Sequence, residues 1–497
     1  MVGEIVRGSS ALTPVVTVDR NSSQPLHLQV YRSLRNAIAI GVLRPGQRVP
    51  SSRAMSTELN VSRITILEAY EQLLAEGYFK SRKGAGTFVS GSLPEYLSQV
   101  RRPSNGRSQG ASGPRPVAKR ALQFPTEPAT AWRGGLGAFA VHQPAFEEFP
   151  YAIWSRLVTH HSKDPSARAI HCIDPLGSRR FREAICEYLR TARAVQCEPE
   201  QVMIVSGSQQ ALQIAANVLL DPGDAVWMEE PGYRLARNVF AAAGSRLIPV
   251  PVDDEGLNVE AGIARSAQAR AAYVTPSHQY PLGSAMSAGR RLQLLNWAQR
   301  YGAWIIEDDY DSEYRFESAP ISSLQGLDNN ARVIYIGTFS KVLFASLRLG
   351  YMVIPPDLVE RFIAVRYAID IFPPYLFQEV IADFMRQGHF ARHIRRMRQL
   401  YSQRRKVLVE QLREAFGGAF QLRGAEAGMH LTVTLPPDFD DVAIAGKAAE
   451  QGLWLWPLSG SYVTKEVRTG FILGYGNVAA QAIPGAVEKM RAVISSV

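Results

Sequence analysis

Ile306-Glu307-Asp308-Asp309-Tyr310 and Gly337-Thr338-Phe339-Ser340-Lys341 are the two stretches on which the reading of this chain turns. Each closes an apolar run, Ala303–Ile306 and Val333–Ile336, so an acid, a phenol and a lysine stand just beyond the ends of two buried strands. Val202–Val205, Ala225–Met228, Ala271–Val274 and Leu349–Ile354 have the same character. Helical stretches lie between many of these runs. The pattern predicts βα units around a largely parallel buried sheet.

The residues at those strand ends meet, one by one, the needs of pyridoxal 5′-phosphate (PLP). A phosphate is held by backbone N–H groups at a helix N-terminus, which Ser206, Gly207, Ser208 and Gln209 offer after the strand ending at Val205. The ring needs a flat partner, for which Tyr233 in Glu230-Pro231-Gly232-Tyr233 is placed. The pyridine nitrogen needs a buried carboxylate to keep it protonated, and Asp308 follows its strand directly. Tyr310 is placed to bond the ring's phenolic oxygen. Lys341 is the amine for a Schiff base, a role that requires a lowered pKa. Thr338 and Arg348 can complete the phosphate's hydrogen bonds.

With 497 residues, 46% of them hydrophobic, the chain is expected to hold two or three globular domains. No apolar stretch reaches the roughly 20 residues that span a bilayer, and Met1–Ser23 has no long apolar segment of the secretory kind. The expectation is a cytoplasmic protein with no membrane partner. Cys172, Cys186 and Cys197 are too few and too irregular for a disulfide framework or a metal site, so buried free thiols are expected. The net charge of +10 is confined to the front. Residues 1–126 hold 17 Lys or Arg against 7 Asp or Glu, and the remainder holds 38 of each. A basic front on a neutral body points to a polyanion-binding module.

Residues 1–24 are polar and aperiodic, and read as a disordered tail. Residues 91–124 read as a flexible linker, with Arg101, Arg102, Arg107, Arg115, Lys119 and Arg120 among Ser, Gly and Pro. Between them, Leu26, Val30, Leu34 and Ile38 predict a helix ending at Gly41. Ser51 caps a second helix running to about Leu59, and Ser62 caps a third with Ile66, Tyr70 and Leu73 on its buried stripe. Tyr78–Ser81 and Thr87–Ser90 flank Arg82-Lys83-Gly84-Ala85-Gly86 as a hairpin with a basic tip. Helix, turn, helix and wing form a DNA-docking arrangement.

The run LRPGQRVPSSRAMSTELNVSRITILEAYEQLLAEGYFKSRKGAGTFV, residues 43–89, closely resembles the GntR-family winged helix. The resemblance implies DNA-facing roles for Arg53, Ser62, Arg63 and Thr65, with Lys83 and Gly84 at the wing tip. Arg63 is the expected base-edge contact, since arginine forks onto guanine, whereas Arg53 and Lys83 suit phosphates. Ile64 and Leu67 stand where some relatives carry polar or charged readers, so the operator does not transfer.

Residues 125–497 resemble fold-type I aminotransferases through DPLGSRRFREAICEYL, SGSQQAL, EEPGY, TPSHQYPLG, IIEDDYDSEYR and GTFSKVLFASLRLGY, in that order. The resemblance implies PLP, with Lys341 as aldimine lysine, Asp308 as pyridine partner, Tyr310 as hydroxyl partner, Tyr233 as ring stacker and Thr338 with Arg348 as phosphate ligands. It puts His278 and Gln279 beside the cofactor's O3′. Two features depart from the pattern. Leu282 stands where many relatives have threonine, and Trp456–Tyr462 holds no arginine to grip a substrate carboxylate. Either Arg468 or Arg237 takes that role, or the ligand is not an ordinary α-amino acid.

The whole chain resembles the MocR/GabR-type regulators. The fold expected is α/β and multidomain: a winged helix-turn-helix at 25–90, then a PLP-dependent transferase-like domain at 125–497. The latter has a mostly parallel central sheet and a smaller α+β subdomain. The implied function is a homodimeric, PLP-dependent regulator on double-stranded DNA, sensing PLP, an amine or an amino acid through Lys341. An active aminotransferase with an appended DNA-binding domain is the alternative.

Overall fold

The structure, a computed structural model, describes residues 16–91, 116–119, 121, 137–163, 174–316, 322–436, 438–464 and 467–496. The chain divides into two units, 1–115 and 116–497.

In the first unit, α1 (Leu26–Ala39), α2 (Ser52–Glu58) and α3 (Arg63–Ala75) precede a hairpin of β1 (Phe79–Arg82) and β2 (Gly86–Val89). The caps are the expected ones: Ser51 Oγ accepts from Ala54 N at 3.2 Å, and Ser62 Oγ from Thr65 N at 3.1 Å. Val30, Leu34 and Ile38 of α1 are buried with Ile66, Tyr70 and Leu73 of α3 in one core. Each such side chain contributes roughly 1.5–3 kcal/mol by leaving water. The hairpin pairs Phe79 with Val89 and Arg82 with Gly86. Its strands thus lie one residue nearer the tip than expected, leaving Lys83, Gly84 and Ala85 as the turn.

The tail expected over 1–24 is described from residue 16, and that part is ordered against the helices. Val16 is buried in the same core. Gln29 ties the segment down, accepting from Asp19 N at 2.8 Å and donating to the Asp19 and Gln24 carbonyls at 2.9 and 2.8 Å. Buried Val16, half-buried Val18 and Gln29 thus hold a segment whose composition looked solvated. Most of the expected linker, 92–115, lies outside the described residues.

The second unit is built on eight strands: β3 (Val202–Val205), β4 (Ala225–Glu230), β5 (Arg246–Asp253), β6 (Gly256–Leu257), β7 (Ala271–Val274), β8 (Trp304–Asp309), β9 (Val333–Thr338) and β10 (Gly350–Val353). Their order is β3-β10-β9-β8-β7-β4-β5-β6. The pairings from β9 through β5 are parallel, while β10 runs antiparallel to both β3 and β9. Strands β3 to β10 other than β5 are buried or nearly so along their length, as a sheet covered on both faces requires. A second, antiparallel sheet, β11 (Gln421–Arg423), β12 (His430–Thr434), β13 (Trp456–Pro457) and β14 (Gly470–Gly474), is ordered β11-β12-β14-β13 and packs with the helices His389–Phe416 and Ile483–Ser495. Cys186 and Cys197 are buried free thiols, as expected, with their sulfurs 3.5 Å apart. Cys172 lies outside the described residues.

Candidate functional site

Parallel strands bring their C-terminal ends to one edge, where ligands of open α/β sheets bind. A cavity of about 170 Å3 lies there. Ser208, Gln209, Tyr233, Asp308, Tyr310, Thr338, Lys341 and Arg348 all line it, brought together from four strands. Tyr273, Thr275, Ser340, His142, Tyr280, Leu235 and Ala345 complete the wall.

Side-chain alternation along β8 sets the floor. Glu307 and Asp309 do not line the cavity; both Glu307 oxygens and Asp309 Oδ2 are bonded within the protein, while Asp309 Oδ1 is buried without a hydrogen bond among the described residues. Asp309 Oδ2 accepts from Arg193 Nε at 2.7 Å, Tyr335 Oη at 2.6 Å and Ser312 Oγ at 2.9 Å. Glu307 accepts from the backbone N–H groups of Leu324 and Gln325 at 2.9 and 3.0 Å. Asp308 points the other way. Its Oδ2 accepts from Tyr273 Oη at 2.8 Å, while Oδ1 is buried and has no hydrogen bond among the described residues. Burial pushes this carboxyl from its ordinary 3.8 up to about 6. A protonated ring nitrogen is the partner such an oxygen lacks, so the site fits PLP at this end.

Lys341 faces the same cavity, and burial lowers its ammonium to about 8 against the opposing pull of Asp311 and Asp308. At the phosphate end, Gly207 is the N-cap of the helix Ser208–Leu219, with φ 99. A Cβ there would stand 3.3 Å from Arg348 Nη2, so the glycine keeps the backbone open beneath the guanidinium. Arg348 itself takes a left-handed conformation, φ 50. Thr338 Oγ1 accepts from Ser340 N at 3.2 Å.

Four expected residues lie elsewhere. His278 and Gln279, placed by resemblance beside the cofactor's O3′, are buried and do not line the cavity. The Gln279 amide donates to Glu229 Oε2 and to the Pro231 and Tyr280 carbonyls. His278 Nδ1 stands 3.1–3.2 Å from both Asp311 carboxylate oxygens, and its carbonyl accepts from Tyr310 Oη at 2.8 Å. Both residues therefore hold the wall from behind. Arg237 also lies off the cavity: its Nη1 is 3.6 Å from Glu230 Oε2 and its Nη2 donates to the Gly460 carbonyl at 3.4 Å. Arg468 is exposed. Sequence reasoning missed Tyr273, Thr275 and His142. A tyrosine within the aliphatic run of β7 was the available sign for the first; nothing in the sequence marked the last.

On the first unit, Arg53, Ser62, Arg63, Lys83 and Gly84 are exposed and Thr65 is half-buried. Arg63 Nε donates to Ser52 Oγ at 3.4 Å, and Ser62 and Thr65 share a hydroxyl contact of 2.8 Å. Ile64 and Leu67, 67% and 37% exposed, stand on the same helix.

Residues 163–472 match the family Aminotransferase class I and II, and residues 26–89 match Bacterial regulatory proteins, gntR family. The chain is 39% identical over 479 residues to a probable rhizopine catabolism regulatory protein, MocR, of Rhizobium meliloti, covering 96% of this chain and 95% of that one. It belongs to the MocR-type transcriptional regulators. Within this type it is 30% identical to the pyridoxine biosynthesis regulator PdxR of Corynebacterium glutamicum, covering 90% and 91%. It is 32% identical to TauR of Rhodobacter capsulatus, covering 92% and 95%. Among solved structures, the kynurenine aminotransferase of Pyrococcus horikoshii superposes on 76% of this chain and 97% of its own, with 27% identity and TM-score 0.70. As in other members of the type, the winged helix and the aminotransferase-like domain occupy one chain.

Proposed function

We propose that this regulator holds PLP on Lys341 and changes its grip on DNA when PLP, or an amine exchanging with Lys341, occupies the cavity. The observation that carries the reading is Asp308 Oδ1, a buried oxygen without a partner among the described residues, facing the same cavity as Lys341. Bound there, PLP supplies an electrophilic aldehyde on an electron-withdrawing ring. The chain's own groups do the rest. Asp308 holds the ring nitrogen, Tyr233 covers the ring, and Ser208, Gln209, Thr338 and Arg348 take the phosphate with the N–H groups after Gly207. Lys341, lowered to about 8, has a share of neutral amine at physiological pH. Tyr310, whose hydroxyl donates to the His278 carbonyl, is the group for the ring's phenolic oxygen.

On DNA, Arg63 reads a base edge, Arg53 and Lys83 meet phosphates, and Ser62, Thr65 and Gly84 fix the backbone at the helix start and wing tip. We read the working form as a cytoplasmic homodimer that binds two half-sites or direct repeats. A ligand shifts DNA affinity only by its unequal affinity for the two arrangements of the dimer.

Fluorescence anisotropy on DNA from upstream of the protein's own gene tests this, using the full chain alone, with PLP, and with PLP plus an amine panel. Specific binding that changes with ligand is expected. Binding that ignores every ligand would favour the second reading, an active aminotransferase, which the poised Lys341 and complete cavity also support. Steady multiple turnover with an amino donor and a keto acid would establish that reading.

A further inference from the structure

The residues assigned to PLP account for the floor and one end of the cavity, and another side is made by a group with no part in that assignment. His142 enters the cavity with its backbone at φ 67, the left-handed region that non-glycine residues seldom take. Such a conformation persists where the surroundings overdetermine it, and it concentrates at ligand sites. Here the imidazole is packed among rings, its centroid 5.1 Å from Tyr280, 5.9 Å from Tyr310 and 6.1 Å from His430. Burial, with the Lys341 charge nearby, holds its pKa well below the usual value, so the ring is neutral at physiological pH.

The two arginines expected to grip a carboxylate do not line the cavity. Arg237 lies against Glu230, and Arg468 is exposed. Among the described residues, the charged side chains lining the cavity are Asp308, Lys341 and Arg348, which the PLP reading already occupies. A ligand carboxylate brought beside His142 would lose its water and, with Lys341 and Arg348 engaged by PLP, would meet no other cation among the described residues lining the cavity. A neutral imidazole offers instead one donor or acceptor and a flat face, and the tyrosines offer phenol edges.

We propose that His142 selects the effector, favouring a primary amine whose substituent is uncharged and bears a ring or hydroxyl groups over the corresponding amino acid. This rests on the reading of Lys341 as the PLP anchor.

The full chain loaded with PLP is titrated with pairs of amines differing by one carboxylate: ethanolamine against serine, and 2-phenylethylamine against phenylalanine. Binding is read from the visible band of bound PLP and from anisotropy on operator DNA. The neutral member of at least one pair binds about ten-fold tighter or better. His142→Arg, which adds a cation to the wall, reverses the preference. His142→Gly suits φ 67, which offsets part of the packing lost with the imidazole, and in a chain shown by melting and by its visible PLP band to be folded it narrows the preference to less than about three-fold. Amino acids that bind as tightly as their neutral partners overturn the inference and leave the PLP reading standing, as does a His142→Gly chain that keeps the full preference. A chain that develops no visible band with PLP overturns both.

Discussion

Replacing Asp308 by Asn separates what this side chain does for the fold from what it does for the ligand. Its carboxyl stands at about 6 instead of 3.8, chiefly through burial. The folded chain therefore binds this proton more tightly than the unfolded one. Its contribution is fully present below about pH 4 and is lost as pH rises through about 6. At 1.36 kcal/mol per unit, the loss is about 3 kcal/mol by neutral pH. Asparagine keeps an oxygen for Tyr273 Oη and carries no charge. Without PLP, Asp308→Asn is thus expected to be more stable than the parent at pH 7.5 by up to about 3 kcal/mol, and equally stable near pH 4. With PLP that advantage shrinks, and it reverses once the loss exceeds about 3 kcal/mol, because losing one partner of a buried ion pair weakens affinity by about 2–5 kcal/mol, or roughly 30- to 5000-fold. Thermal melting of both chains across pH 4–8, with and without PLP, measures the first effect. Visible absorbance retained through dialysis measures the second. An Asp308→Asn chain that melts below the parent at pH 7.5 without PLP, or keeps its PLP through dialysis, would refute the reasoning.

Four further outcomes follow from particular residues. Arg63→Ala should weaken specific DNA binding by about 1–3 kcal/mol and leave the PLP absorbance unchanged; equal loss on random DNA would reduce it to a phosphate contact. Exposed Ile64 is suited to a thymine methyl, so operator DNA carrying uracil at one position should bind the parent several-fold more weakly yet bind Ile64→Ala as unmodified DNA does. Gly207→Ala places a side chain at φ 99 beside Arg348, and should cost about 1–3 kcal/mol in stability as well as PLP affinity, read by melting and by titration. Since neutral Lys341 increases as pH rises toward about 8, covalent uptake of PLP should accelerate about ten-fold from pH 6.5 to 7.5 and level off above pH 8; a flat profile in stopped-flow absorbance would place its proton elsewhere.

The inner strands were legible because each is an unbroken apolar run closed by polar residues, and the same boundary put Asp308 and Lys341 at the site. Strand β5 escaped notice because Pro249 and Pro251 interrupt its pattern. Such prolines are tolerated next to the sheet's edge, where the following strand is the two-residue β6. Strand β10 was found, but its antiparallel direction depends on pairing with β3 and β9, which local sequence does not encode. Arg237 carried the right chemistry for a carboxylate, yet Glu230, seven residues before it, claims the guanidinium. His142 had no local sign, since its meaning comes from a backbone angle and from rings more than a hundred residues away.

The two carboxylates that β8 sends to opposite faces have a mechanical consequence. Asp309 is braced by Arg193, Tyr335 and Ser312, and Arg193 Nη2 reaches on to Ser277 Oγ at 2.6 Å, clamping three segments beneath the cavity. The antiparallel sheet is tethered to the other side of the cavity. Met429 N donates to Asp311 Oδ2 at 3.1 Å, and His430 and Thr432 converge on the Pro281 carbonyl at 3.2 and 2.6 Å. The cavity is thus gripped from both sides by segments far apart in sequence, and an occupant that displaces the Pro281 turn is expected to press directly on β12.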